Sequence, residues 1–441
     1  MEATKQLINR FLRWEYSGLS ILLIVTAVLH FVTINNPRDF VFDEIYYINQ
    51  AKDFIIHNID PTWIEDPPWI EHPPLAKLFI ALGMELFGEN NLIGWRFFSV
   101  VFGTISVALF YLICRRLFSS RNLCFLATFL FAFENMSFLH ASVAMLDVFS
   151  LTFMLLSLWL YLRGNYFASG VSIGLAALCK ITGAFAIPII LLYWIFTRAK
   201  SLKRSALTIV VAVASFLILR PLFDYCIWHE FLNPIGQTID MLSKSGEYTF
   251  AQSTPLQLET LSRSWDWIIH PTILTYYEHP HYISMVSYSL WALIIPVVGY
   301  MIWRAVRGSN AARFALSWFI VTYFFWVFLN LLTDRITYNF YFYFSIGALC
   351  IGLALMLLEI RSVAERSDRH IVRLLGQTVI PAYLLAHLIS FAILIPVSYW
   401  WKVPICLLMY AFARYIMDND VNSSGNHCQE TDHRPIPASS P

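Results

Sequence analysis

The chain has 441 residues, of which 58% are hydrophobic and only 13% are charged. Soluble domains are roughly half apolar and a quarter charged, so the composition excludes an ordinary soluble protein and indicates one that lies in a bilayer. The formal net charge of +1 gives no reason to expect a nucleic-acid partner. The seven cysteines form no CxxC pair, and we expect neither a disulfide framework nor a thiolate metal site.

Twelve apolar segments are candidate membrane spans, because a spanning helix needs about 20 mostly apolar residues. They are 16–34, 94–114, 122–140, 145–162, 166–180, 184–197, 205–222, 285–303, 314–332, 338–359, 375–396 and 400–416. The short pair 166–180 and 184–197 is also compatible with one broken hairpin. The predicted fold is an all-α polytopic membrane protein with about 11–12 transmembrane helices and helical outer loops. It comprises a membrane domain over 1–417 and a disordered cytoplasmic tail over 418–441, which is rich in Ser, Asn and Pro.

Lys and Arg cluster in every second connection between these spans, and short cytoplasmic loops carry such an excess. This distribution predicts that both termini lie in the cytoplasm. The acidic loop 35–93 and the long loop 223–284 then face outward.

The first outer loop opens with two adjacent acids, Asp43 and Glu44, in Phe42-Asp-Glu-Ile-Tyr-Tyr47. Acids beside a bilayer are costly and suggest function, although a solvated acid pair is the simpler alternative. The flanking aromatic residues would partly desolvate the pair and favour a site. Farther along, His72 lies in Glu71-His-Pro-Pro-Leu-Ala-Lys77, which is either a rigid turn or, together with Lys77, part of the same site.

Further ionisable residues lie at the outer ends of predicted spans, where we expect them to line one polar cavity. They are Arg96, Asp147, Lys180 and Arg335. Each has a structural alternative. Basic side chains near helix ends extend to the headgroups, an acid at a helix start stabilises the helix dipole, and Arg335 stands above tyrosines typical of an interfacial belt.

The second outer loop contributes Trp265, His281 and Tyr282 as candidates for a sugar or acceptor site. Aromatic and His side chains suit sugar faces and hydroxyls, but they also suit a helix that lies on the membrane. The histidines of this loop lack the spacing of a zinc site.

Five motifs in order resemble the protein O-mannosyltransferase family, which is part of the GT-C membrane glycosyltransferases that use polyprenyl-phosphate sugars. They are Phe42-Asp-Glu-Ile-Tyr-Tyr47, Glu71-His-Pro-Pro-Leu-Ala-Lys77, Gly94-Trp-Arg-Phe-Phe-Ser99, Ala144-Met-Leu-Asp147 and Cys179-Lys-Ile-Thr-Gly183. The loop 223–284 has no room for the β-trefoil module of the fungal and animal enzymes. The chain therefore looks like the compact prokaryotic form.

The resemblance implies transfer of mannose from dolichyl- or polyprenyl-phosphate mannose to Ser or Thr hydroxyls of proteins at the outer face of a prokaryotic plasma membrane. It gives Asp43 the role of general base and makes Glu44 its companion. Arg96 matches the family's arginine on the second span, and Asp147 matches the second acid. The arginine often found shortly before that acid is replaced here by Ser142 or Val143.

The residues suggest one mechanism. A carboxylate accepts the proton of the attacking hydroxyl, while cationic groups stabilise the leaving lipid phosphate, and one displacement inverts the anomeric carbon. Arg96, Arg335, Lys180 and Lys77 are the candidate phosphate ligands. No cofactor is required, although Asp43 and Asp147 are a possible ligand pair for a divalent ion. The rival interpretations are another polyprenyl-phosphate sugar, a lipid acceptor, or a solute transporter, for which internal repeats are expected.

Overall fold

A computed structural model describes residues 16–56, 71–198 and 201–423, with the side chains of the last helix described to residue 417. Helices dominate this part of the chain. They are α1 Ser17–Thr33, α2 Glu44–Ile56, α3 Leu75–Phe87, α4 Leu92–Leu117, α5 Arg121–Ala132, α6 Asn135–Ser142, α7 Leu146–Arg163, α8 Tyr166–Cys179, α9 Ala186–Thr197, α10 Leu202–Trp228, α11 Pro234–Glu247, α12 Pro255–Leu258, α13 Asp266–Ile269, α14 Tyr288–Trp291, α15 Ile294–Val306, α16 Asn310–Thr333, α17 Ile346–Glu365, α18 His370–Leu394 and α19 Tyr399–Ser423. Three short 3-10 helices lie at Ile181–Phe185, Phe250–Gln252 and Asn339–Ser345.

Each of the twelve predicted spans contains a helix, and the predicted helical membrane fold is confirmed. Within the described residues, six helical segments are long and apolar enough to cross a membrane, and α5 with α6 forms a seventh that is bent by 58°. Four of the five other predicted spans contain shorter apolar helices of 10–17 residues, Ser17–Thr33, Tyr166–Cys179, Ile181–Thr197 and Ile294–Val306, and the fifth contains α19. Helix α19 continues to Ser423, into the segment predicted as a tail.

The outer loops were predicted to be helical, and for the second outer loop this is only partly correct. A two-stranded antiparallel hairpin, β1 Leu274–Tyr277 and β2 Tyr282–Ser284, lies in the second outer loop. Its aromatic and β-branched residues favour extended backbone. Asn135, at the start of α6, donates from Nδ2 to the carbonyl oxygens of Ile283 and Met285, at 2.8 and 2.9 Å. The hairpin is therefore attached to the bend between α5 and α6.

Close backbone contact joins α3 to α4. A Cβ atom at Gly83 of α3 would lie 2.2 Å from the carbonyl oxygen of Gly94 in α4, well inside contact distance. Only glycine fits there without movement of one helix. The contact fixes the start of α3, which carries Lys77, relative to the first turns of α4, which carry Arg96.

We expect Gly83→Ala to destabilise the protein by about 1–3 kcal/mol, because the added methyl group must push α3 from α4. The matched control is Gly299→Ala in α15, where no atom lies within 4 Å of the added Cβ. That change should be neutral or should stabilise the helix by about 0.5–1 kcal/mol. Thermal unfolding in detergent measures both, and equal melting temperatures for the two variants would contradict the packing argument.

Candidate active site

Asp43 lies in the turn that leads into α2, directly after a residue with an unusual backbone conformation. Phe42 has a φ of 54°, a left-handed conformation that bulky side chains rarely adopt. Its ring stacks on Tyr276 of β1, with 4.4 Å between centroids and 5° between the planes. Such strain persists only where surrounding contacts enforce it and is concentrated at functional sites. The hairpin therefore helps to hold the turn that presents Asp43.

Glu44 and Arg96 form a buried ion pair, and neither side chain is exposed. Arg96 donates from Nε to Glu44 Oε1 at 2.8 Å and from Nη2 to Oε2 at 2.7 Å. Glu44 also accepts hydrogen bonds from the backbone N–H groups of Val41 and Ala144, at 2.8 and 2.7 Å. The carboxylate thus joins the first outer loop, α4 and the turn before α7.

The remaining N–H groups of the Arg96 guanidinium donate hydrogen bonds to backbone carbonyl oxygens. Nη1 donates to the carbonyls of Ile34 and Pro37 at 3.2 and 3.1 Å, and Nη2 donates to that of Asp39 at 3.0 Å. With the two bonds to Glu44, all five N–H donors of an arginine have partners within the protein. Arg96 has no donor left for a phosphate, contrary to its predicted contact, because Glu44 and the backbone that follows α1 use all of them. The geometry makes Arg96 and Glu44 positioning residues.

A second buried pair lies at the start of α7. Lys180 Nζ donates to both carboxylate oxygens of Asp147 at 2.9 Å, and both side chains are buried. The ammonium group also lies 5.2 Å from the ring centroid of Phe340 and 5.6 Å from that of Tyr341. Asp147 lies in the first turn of α7, but its carboxylate is directed to Lys180, so helix stabilisation alone does not describe its role.

Asp43 itself is half-buried, and no donor among the described residues forms a hydrogen bond with its carboxylate. Burial raises the pKa of Asp43 to about 6; Lys180 opposes the rise, and the charges of Asp147 and Glu71 add to it. Asp43 therefore faces the Lys180–Asp147 pair as a carboxylate that ionises just below neutral pH. It is the acid of this region that is available for chemistry.

Three of the predicted phosphate ligands converge around His72. Burial lowers the pKa of His72 well below its ordinary value, and the nearby charges of Lys180, Lys77 and Arg335 lower it further. The imidazole, 6.0 Å from the ring centroid of Tyr47, is therefore neutral. Its Nδ1 is buried without a hydrogen-bond partner in the described part of the chain. The charges of three cations therefore act on one neutral, buried ring.

Two of these cations retain capacity for an anion. Lys77 is 1% exposed, and burial lowers its pKa to about 7; Arg220 lowers it further, whereas Glu71 opposes. The Nε atom of Arg335 is buried without a hydrogen-bond partner among the described residues. An anion placed between them would relieve an unfavourable concentration of positive charge.

The predicted sugar or acceptor residues of the second outer loop lie elsewhere. Trp265 packs near Arg263, whose guanidinium carbon is 5.7 Å from its ring centroid, and His281 is exposed at the hairpin turn, 5.1 Å from the His279 ring. The Tyr282 hydroxyl donates to the carbonyl of Asn36 beside the Arg96 pair. None of these contacts is with Asp43; the hairpin sets the directions of His281 and Tyr282, whereas Trp265 lies before it, at the start of α13.

Two residues without an assigned role do belong to the region. Burial raises the pKa of Tyr276 well above its ordinary value, and the charges of Asp147 and Asp43 raise it further, which places its hydroxyl near both acids. Arg220 lies within α10, about two turns before its end, and is 7% exposed, and its charge acts on Lys77. The alternation of side chains along the strand that contains Tyr276 could have indicated a buried tyrosine, but the pairing of that strand depends on the fold and is not evident from the sequence.

A divalent ion between Asp43 and Asp147 would compete with the ammonium group of Lys180. Lys180 already occupies both oxygens of Asp147, and among the residues that the structure describes no three His, Cys, Asp or Glu side chains lie close enough to hold an ion. A metal at this place would have to displace the ammonium group. The reaction below is therefore derived from the protein's own groups.

Residues 71–224 match the family model described as dolichyl-phosphate-mannose-protein mannosyltransferase. The resemblance inferred from the motifs is confirmed over this segment. Four of the five motifs lie within it, and the segment with Asp43 and Glu44 precedes it.

Curated relatives agree over a similar part of the chain. The polyprenol-phosphate-mannose–protein mannosyltransferase of Mycolicibacterium smegmatis is 33% identical over 137 residues, 30% of this chain and 26% of that protein. Its namesake from Corynebacterium glutamicum is 28% identical over 157 residues, 34% and 30% of the two chains. The matches therefore span less than a third of the length of these relatives.

Solved structures show the fold over most of the chain. The S. cerevisiae protein O-mannosyltransferase Pmt1–Pmt2 complex bound to the sugar donor has a TM-score of 0.68 at 13% identity and covers 86% of this chain and 89% of its own. ArnT from Cupriavidus metallidurans bound to undecaprenyl phosphate has a TM-score of 0.54 at 16% identity, with coverage of 91% and 76%. The protein is a multi-pass membrane protein with the GT-C fold.

We expect Arg96→Ala to lower the free energy of unfolding by about 3–5 kcal/mol, because it leaves Glu44 buried without its countercharge. Arg38→Ala, an exposed arginine of the same loop, is the control and should cost little. Chemical unfolding in detergent gives both values. A folded, fully stable Arg96→Ala protein that has lost only its affinity for a lipid phosphate would restore the phosphate-binding prediction.

Proposed function

We propose that the protein is an inverting glycosyltransferase that moves mannose from a polyprenyl-phosphate mannose to Ser or Thr hydroxyls of acceptor proteins. The observation that carries the proposal is the placement of Asp43, a half-buried carboxylate without a described hydrogen-bond donor, near Lys180, whose charge acts on His72 together with those of Lys77 and Arg335. The segment 71–224, with its match to the mannosyltransferase family, supports the choice of sugar and donor.

Asp43 is the proposed general base. A serine or threonine hydroxyl has a very high pKa, so it attacks the anomeric carbon only if a base accepts its proton as the bond forms. A carboxylate with a pKa of about 6 is ionised at neutral pH and is more basic than an ordinary aspartate. The proton passes from the hydroxyl to Asp43 while the sugar–phosphate bond breaks on the opposite face of the sugar.

Lys77 and Arg335 are the proposed ligands of the leaving phosphate. Its negative charge grows in the transition state, and preorganised cations in a desolvated site stabilise such charge strongly. Arg335 suits phosphate oxygens because its planar group donates paired hydrogen bonds, and its Nε is unpartnered in the described part of the structure. Lys180 holds Asp147 and adds positive charge at the site, so we assign it a supporting role.

The reaction is proposed to take place at the outer face of a prokaryotic plasma membrane. The alternation of basic connections supports this orientation, because basic residues are enriched in cytoplasmic loops. The donor lipid then reaches the site from the bilayer, and the acceptor protein reaches it from the aqueous side. The amphipathic, proline-broken stretch 49–77 is the proposed wall between these routes, and the structure describes it over 49–56 and 71–77.

Asp43→Asn should reduce transfer from radiolabelled dolichyl-phosphate mannose to a Ser/Thr peptide by about 100-fold or more, the range that general bases supply. Asparagine keeps the size of the side chain but cannot accept the proton. Asp39→Asn, an exposed residue of the same loop, is the matched control and should retain activity. Near-normal transfer by Asp43→Asn would exclude Asp43 as the base, and transfer only from other sugar donors or to lipids would redirect the proposal.

The pH dependence of transfer should report the ionisation of Asp43. Since the protonated acid cannot accept a proton, kcat/KM for the peptide should fall about tenfold per pH unit below the pKa and level off above it. The raised pKa of about 6 puts this limb well above the range of an ordinary aspartate. The profile is best measured with saturating donor, because a bound phosphate keeps Lys77 protonated. A flat profile from about pH 5 to about pH 7 would contradict the assignment.

A further inference from the structure

Helix α11 is an amphipathic helix that begins just after the membrane-crossing helix α10 ends. Asn233 caps it, accepting hydrogen bonds at Oδ1 from the backbone N–H groups of Ile235 and Gly236 at 3.0 and 3.3 Å, and Pro234 occupies its first turn. Both features define a sharp helix start. The chain therefore changes from a spanning helix to a separate helix at the outer end of α10.

One face of α11 carries an uncovered apolar stripe. Ile235, Ile239 and Leu242, at positions i, i+4 and i+7, are 57%, 60% and 53% exposed. Residues at this spacing lie on one side of a helix. The other side faces the protein, since Met241 is buried and Gln237 contacts α10 through Arg220. The stripe thus points away from the described part of the protein.

The surface of α10 indicates what covers this stripe. Helix α10 is apolar enough to cross a membrane, yet only 17% of its apolar window is buried, so most of its side chains face lipid. Exposed apolar residues continue to its outer end at Leu222 and Tyr225, and Phe231 follows at 66% exposure before α11 begins. The stripe of α11 extends a surface that already contacts the bilayer.

We propose that α11 lies in the membrane–water interface, with Ile235, Ile239 and Leu242 directed into the boundary between headgroups and acyl chains. Helices with one apolar and one polar face bind membranes in this way, with the apolar face a few ångströms below the headgroups. The polar face of α11 offers Gln237, Asp240 and Ser243 to the protein and to water. The partner is the lipid surface.

This placement also connects the bilayer to the proposed phosphate site. Arg220 donates from Nε to Gln237 Oε1 at 3.1 Å and to Asp224 Oδ2 at 3.4 Å, and its charge acts on buried Lys77. Gln237 of α11 is thus one of the two side chains that hold the Arg220 guanidinium group, so a shift of α11 in the interface would change the charge near Lys77. This second step rests on the proposed function, whereas the placement of the helix does not.

The placement is tested by fluorescence quenching in nanodiscs of phosphatidylcholine and phosphatidylglycerol. A bimane label is attached at Ile239→Cys or, as the control on the polar face, at Asp240→Cys, with Cys226, Cys406 and Cys428 replaced by serine. Nitroxide lipids should quench the label at Ile239→Cys at least about twofold more than at Asp240→Cys, and aqueous iodide should show the reverse order. Ile235→Cys provides a second position on the stripe if the first variant folds poorly.

Two outcomes would overturn the placement. Strong iodide quenching on the stripe would mean that it faces water, and protection from both quenchers would mean that another protein or a second copy of this chain covers it. Neither result depends on any transfer activity. The proposal and the proposed function can therefore fail separately.

The functional consequence has its own measurement. Ile235→Asp combined with Ile239→Asp should raise the KM for the lipid donor several-fold with a smaller change in kcat, and Ile239→Leu should behave as the wild type. An unchanged donor KM in the charged variant, with lipid quenching confirmed, would separate α11 from the phosphate site. Absence of transfer by the wild type would instead contradict the proposed function and leave the quenching result standing.

Discussion

The buried Glu44–Arg96 pair is the interaction on which the rest of the site depends. Removing two charges from water costs several kcal/mol for each ion, and such a pair is tolerated only when further hydrogen bonds satisfy its remaining atoms. Here the backbone N–H groups of Val41 and Ala144 and three carbonyls of the first outer loop do so. Because Asp43 directly precedes Glu44, its backbone position follows from this pair.

Two buried ion pairs determine which charged groups of the site remain without a partner. Glu44 with Arg96 and Asp147 with Lys180 satisfy each other, which leaves Asp43 as the acid without a described donor. The cations without a full countercharge, Lys77 and Arg335, lie around a neutral His72. The proposed base and the proposed anion-binding cations are thus different groups, and a displacement at carbon needs both, one for the attacking hydroxyl and one for the leaving group.

The sequence was sufficient to predict the membrane helices and to name the charged residues that meet near Asp43 and His72, for identifiable reasons. Apolar composition determines where helices form in lipid, and charged residues at helix ends converge on one side whichever loops join them. The positioning role of Arg96 could not be predicted from the sequence. It depends on the backbone carbonyl groups of Ile34, Pro37 and Asp39, and every residue type has such a group. The contact of Trp265 and His281 with a sugar or acceptor stays a prediction, because the directions of these side chains depend on hairpin register and loop packing, which the sequence does not reveal.

The bend between α5 and α6 shows how irregular backbone at membrane depth is put to use. Glu134 caps α6, accepting from Ser137 N–H at 3.1 Å, and accepts from Ser287 N–H at 2.8 Å, so the groups freed by the break are satisfied by protein, as the bilayer requires. The break turns the chain by 58° and delivers the backbone N–H of Ala144 to Glu44. A straight helix would carry that turn elsewhere and leave one oxygen of Glu44 without this donor. The broken span is therefore part of what holds Asp43 in place.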